Sequence, residues 1–185
     1  SVLDSWMSNW SLRALNWVAL LGWSALLGLL LTHGPSHAII HNLALALQTY
    51  CVAELLLIAL NVISGNLALG VPLHYTRMLI LLLAFPLASP LVQSTILLAW
   101  ALTELCRYLM FLSSSPHART ARYVMPVFTF PLGAGAEAVA AFTSLPFLSG
   151  AAYYAVAAVI PANTIGGAIA YQGLLGKARK ALKSD

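Results

Sequence analysis

The chain has 185 residues, of which 61% are hydrophobic and only 8% charged, with a mean hydropathy of +0.86 and a formal net charge of +4. This composition excludes an ordinary water-soluble domain and makes lipid the solvent for the outer surface. It also excludes nucleic-acid binding, which needs a basic patch interleaved with exposed aromatic residues.

A helix that crosses the hydrocarbon core needs about 20 apolar residues. Six stretches qualify, so the expectation is an all-α integral membrane protein, a six-helix bundle forming a single domain over residues 1–185. The chain opens at Ser1 without Met, as a cleaved or omitted upstream segment would leave it. Span one is expected at about 12–32 and ends at His33-Gly-Pro-Ser. Span two follows at about 38–62 and breaks at Ser64-Gly-Asn. Span three, at about 74–89, is the shortest, with Pro86 and Pro90 crowding its end. Span four covers about 91–112 and stops at Ser113-Ser-Ser-Pro-His. Span five covers about 122–145, and Ser149-Gly separates it from span six at about 150–175.

Orientation follows from the placement of Lys and Arg. Six spans put both termini and the second and fourth loops on one side. All nine basic residues lie toward that side: Arg13 opens span one, Arg77 and Arg107 sit where spans three and four meet it, Arg119 and Arg122 flank the fourth loop, and Lys177, Arg179, Lys180 and Lys183 form the tail. That face is therefore expected in the cytosol, or in the matrix for a mitochondrial membrane.

The acids are the most informative residues. Asp4 and Asp185 are near the ends, while Glu54, Glu104 and Glu137 fall inside apolar stretches. A carboxylate at membrane depth is costly and marks a functional site or a paired structural tie. Glu104 and Arg107 are three residues apart and can meet on one helix. With Glu54 and Arg77 they form an expected network of two acids and two bases in the third of the membrane nearest the basic face, extended by Arg122 and Tyr123. Holding spans two, three and four in register is the reading favoured over capture of an anionic head group, because balanced charge leaves little free positive potential. Glu137, in Phe130-Pro-Leu-Gly-Ala-Gly-Ala-Glu137, has no basic residue within helical reach and reads as functional.

Cys51 and Cys106 lie within spans and read as small packing residues. His33, His37 and His41 recur every fourth residue, but no carboxylate or Cys accompanies them and Pro35 interrupts the run, so interfacial hydrogen bonding is expected rather than a metal or haem site. Neither a metal nor any other cofactor is expected, since Gly-rich phosphate loops, zinc-type Cys patterns and the G-x-S-x-G elbow are all missing from the sequence.

In its polar positions the chain resembles the 3-hydroxyacyl-CoA dehydratase family, also called protein-tyrosine-phosphatase-like A, six-span membrane enzymes of fatty-acid elongation. The resemblance rests on Asn16 with Gly22-Trp23-Ser24, Gln48 through Glu54, Thr76-Arg77, Trp100 with Thr103-Glu104 and Arg107-Tyr108, Arg122-Tyr123, and Pro131-x-Gly133 with Glu137. It runs from span one to span five; the sixth span offers little beyond hydrophobicity. The resemblance implies that a Tyr just before the Pro-x-Gly turn acts with the Glu as the catalytic pair. Here that position is Phe130, while Glu137 remains. Leu57 stands where the family usually has His, and Leu15 precedes Asn16 where the family has Tyr. Phe can neither donate nor accept a proton, so half of the acid–base machinery implied by the resemblance is missing.

The function expected from this is a degenerate, non-catalytic relative of the dehydratases, a structural or lipid-holding subunit of a larger membrane complex. Its partners would be membrane lipids and other membrane-protein subunits. The missing Met, the short loops and the lost chemistry suggest a mitochondrial energy-conversion complex in the inner membrane. The alternative is an active 3-hydroxyacyl-CoA dehydratase of very-long-chain fatty-acid elongation in the endoplasmic reticulum, with acyl-CoA as its partner. The tail lacks the two-lysine spacing of a retrieval signal, which does not favour that location. A transporter is a third reading, carried only by Pro126, Pro131 and Pro161 as helix breakers.

Overall fold

A computed structural model describes residues 2–63 and 65–183, with side chains from Trp10 onward. Ser1, Ser64, Asp185 and the side chain of Asp4 lie outside the described residues. The protein is all α, with no strand among the described residues, and six of its helices are long and apolar enough to cross a bilayer, which makes it an integral membrane protein.

Helix α1 (Val2–His33) ends where Gly34 adopts φ +76° and returns its N–H to the Leu30 carbonyl. That left-handed turn favours glycine, and Pro35 then bars continuation. Helix α2 (Ala38–Ala59) is N-capped by the His37 ring, which accepts the Ile39 N–H at 3.3 Å, and ends before Asn61, also left-handed at φ +58°. Helix α3 (Leu67–Leu79) starts seven residues before the expected span. Asn66 caps it by accepting the Leu69 N–H, and Pro72 falls in its second turn, where it removes only one ladder bond. A π turn (Ile80–Ala84) and a 3₁₀ turn (Phe85–Leu87) complete the span. Helix α4 (Pro90–Leu112) and helix α5 (Pro116–Ser144) both begin with Pro in the first turn, where its missing N–H is harmless. The sixth span is broken: α6 (Gly150–Pro161), a π turn (Ala162–Gly166), then α7 (Gly167–Leu182).

Helix α4 is central, packing on α1 and α5; α7 lies on α5, and α2 joins α1 to α3. Trp23, Leu26, Ile40, Ile80, Leu81, Ile96, Leu97 and Trp100 fill the interior. Leu21, Leu31, Leu82, Leu91, Phe128 and Phe142 are exposed on the outside, as a lipid-facing surface requires. Hydroxyls at membrane depth bond back to the carbonyl one turn earlier, as Ser24, Thr49 and Thr95 do at 2.8 Å. The three histidines have separate duties. His33 meets the Thr32 hydroxyl at 2.7 Å, His37 caps α2, and His41 donates to the Leu81 carbonyl in the π turn at 3.0 Å while stacking on Phe85. A labelling tag in the loop at Pro35 and one at the C terminus are expected on opposite sides of the membrane; recovery on the same side would overturn the six-span path.

Candidate functional site

The site is built where α4 and α5 come closest. Gly133 makes this possible: a Cβ there would lie 3.2 Å from that of Ala99. The close approach lets the Trp100 indole reach across and donate to Glu137 Oε1 at 2.8 Å. The other carboxylate oxygen accepts from the Asn163 amide, also at 2.8 Å. Asn163 lies in the π turn that follows Pro161, and this local widening aims its side chain inward. Glu137 is buried in the middle of the membrane with each oxygen holding one N–H, and each oxygen keeps acceptor capacity for a further donor.

A second cluster lies toward the basic face. Glu104, buried, is held by Arg77 Nη1 at 2.8 Å and by Arg107 Nε at 2.9 Å. Arg107 also reaches Glu54 through Nη2 at 2.5 Å. The Tyr108 hydroxyl, itself in contact with Arg107, donates to the same Glu54 oxygen at 2.9 Å. Arg77 further stacks over the Trp100 ring, 5.1 Å from its centroid, so the cluster and the Glu137 arrangement share one tryptophan. Beside them the buried Gln48 and His74 side chains meet at 2.6 Å, and the Thr103 and Thr129 hydroxyls at 2.6 Å. These contacts tie α2, α3, α4 and α5 together.

Two placements correct the sequence reading. Because α3 begins at Leu67, Arg77 is ten residues in, about 15 Å along the axis, and lies mid-span rather than where the span meets the basic face. Among the described residues no hydrogen bond or ion pair joins Tyr123 to the cluster. Tyr123 lines a shallow hollow at the fourth loop with Arg119 and Ser113–Ser115, whereas Arg122 turns to the interior.

The interior is open. A cavity of about 570 Å³, within the range of small-molecule sites, runs from Glu137 past the ion cluster to Arg122 and Lys177. Phe130 is part of its wall, seven residues and two turns from Glu137 on the same helix, and its ring edge lies against Gly167 of α7. Leu57 and Leu15, the other two apolar replacements, do not line it. The arrangement can present a hydrogen-bonded carboxylate to an apolar guest, but the side chain at position 130 has no proton to give.

The family model described as "Protein tyrosine phosphatase-like protein, PTPLA" matches residues 48–184. The chain belongs to that family. It is thus a 3-hydroxyacyl-CoA dehydratase-like membrane protein. The match begins at Gln48 and continues through the sixth span, so the span that had offered only hydrophobicity is included, and the matching residues of span one, Asn16 with Gly22-Trp23-Ser24, fall outside it. Comparison with curated proteins and with solved structures gives no match.

Sequence reasoning missed Asn163 and His74. The available signal for Asn163 was an amide two residues after a proline inside an apolar span. Replacing Asn163 with Leu leaves a buried Glu137 oxygen without its donor and is expected to destabilise the protein by about 1–3 kcal/mol, read as a lowered unfolding midpoint in detergent.

Proposed function

We propose that this protein is a catalytically silent member of its family that keeps the acyl-sized cavity and holds a lipid chain in it, as a subunit of a larger membrane assembly. The observation that carries the reading is the pairing of an intact, doubly hydrogen-bonded Glu137 with Phe130 in the same cavity wall. Dehydration of a 3-hydroxyacyl thioester needs a base at the α carbon and an acid at the departing hydroxyl. Glu137 supplies one such group, and losing the other removes about 10²–10⁴-fold of rate. The host assembly proposed is an energy-conversion complex of the mitochondrial inner membrane.

The second reading, an active dehydratase of very-long-chain elongation in the endoplasmic reticulum, is favoured by the open cavity and by the preserved seat of Glu137. Mild detergent extraction separates the two. Stoichiometric membrane partners and at most trace turnover of 3-hydroxyacyl-CoA are expected; an isolated chain with robust turnover would promote the enzyme.

A further inference from the structure

The cavity is not closed on all sides. Helix α3 packs on α2 and touches the first half of the sixth span, α6, and α7 packs on α5, but among the described residues no packed interface joins α3 to α7 across the cavity. Ala68, Leu69 and Pro72 on one side and Gly166 and Gly173 on the other line the cavity and are also exposed. A Cβ added at Gly166 or Gly173 would meet nothing within 4 Å, so both glycines border open space. The result is an apolar seam facing the bilayer in the leaflet of the basic face.

The charges along the cavity are unequal. Arg77 and Arg107 are engaged by Glu104 and Glu54, but Arg122 and Lys177, at the mouth, form no ion pair among the described residues. Deeper in, the buried Nε of Arg77 has no hydrogen-bond partner. Two unmatched cations above an apolar slot that opens sideways suit one class of ligand.

We infer that the seam between α3 and α7 admits an anionic lipid from the bilayer, one acyl chain lying in the cavity and its oxyanion head held by Arg122 and Lys177. Sideways entry keeps the head at head-group depth, so no charge crosses the hydrocarbon on the way in. A fatty-acid carboxylate and a phospholipid phosphate share this chemistry. The inference rests on the lipid-holding reading and adds to it the route, the charge of the ligand and the residues that select it.

The test is photolabelling of the full chain in phosphatidylcholine nanodiscs. The probes carry a diazirine on the acyl chain: palmitic acid, phosphatidic acid, phosphatidylcholine, and palmitoyl-CoA supplied from water. One or both of the first two are expected to label cavity-wall peptides around Trp100 and Gly167, and which of them does so identifies the head. Phosphatidylcholine is expected to label only outward residues such as Leu91 and Phe142. Arg122→Gln with Lys177→Gln should cut cavity labelling by about tenfold or more, the loss of charged hydrogen bonds. Gly173→Trp should block it by filling the seam, while Gly173→Ala should not; Gly166→Leu replaces the Trp variant if that one fails to fold. Equal labelling by phosphatidylcholine, or cavity labelling indifferent to both plugs, overturns the inference. So does labelling by the CoA thioester alone. Dehydration assayed on the same preparations judges catalytic silence separately: turnover with lipid labelling intact defeats silence only, and no turnover with no labelling defeats the lipid site only.

Discussion

Arg107→Ala is expected to destabilise the folded protein by about 3–5 kcal/mol, the usual consequence of breaking a buried ion pair from one side. Among the described residues, Arg107 is the only side chain of the cluster that touches both acids, through Nε to Glu104 and Nη2 to Glu54. Its removal strips both carboxylates at once. Glu104 then keeps Arg77 and Glu54 keeps the Tyr108 hydroxyl, which leaves two acids facing one base. Lys at this position cannot repair the damage, because a single ammonium does not span two carboxylates as the planar guanidinium does. The charge count supplies the control. Glu54→Gln with Arg107→Met removes one acid and one base, leaves the Arg77–Glu104 pair whole, and should be clearly more stable than Arg107→Met alone. Thermal unfolding in detergent reads all of these. Equal and negligible effects in the single and paired variants would mean that water screens the cluster.

The same cluster separates what a sequence can carry from what it cannot. That Glu104 and Arg107 could meet followed from helical spacing, and that Glu54 and Arg77 needed partners followed from the cost of charge in lipid. Which acid each arginine takes depends on how α2, α3 and α4 cross, and no spacing within one helix reports that. The third span begins seven residues earlier than expected, at Leu67 under the Asn66 cap, and takes Gly70 and Pro72 into its first turns. The cavity was the least legible feature. Its walls include small residues on different helices, Gly133 on α5 and Gly166 and Gly167 at the break in the sixth span, and no spacing within one helix shows that they border one space. Lys177 likewise counted only as an orientation signal, and Arg122 as an extension of the network, until the fold placed both at the mouth of that cavity. The balanced charge that made a structural role the favoured reading of the network holds for its core of two acids and two bases, but not for the cavity as a whole.

Phe130→Tyr is expected to raise the dehydration of 3-hydroxyacyl-CoA by at least about tenfold over the trace activity of the natural chain. The ring already lines the cavity, and its edge lies beside Gly167, which carries no side chain. Position 130 and Glu137 are two turns apart on one helix, about 10 Å along the axis, and both face the cavity, so a guest can lie between them. The restored phenol would donate to the departing hydroxyl while the carboxylate takes the α proton, or the two roles would be exchanged. Glu137→Gln in the Tyr background should abolish the gain while keeping the side chain's shape and its contact with Trp100. The rate is the decisive readout, because neither substitution opens a cavity or orphans a buried charge. If the natural chain turns over substrate well and Glu137→Gln stops it, the acid is supplied by another group and catalytic silence is refuted. If Phe130→Tyr stays inert, the hydroxyl does not reach a productive pose, and the Phe alone does not account for the lost chemistry.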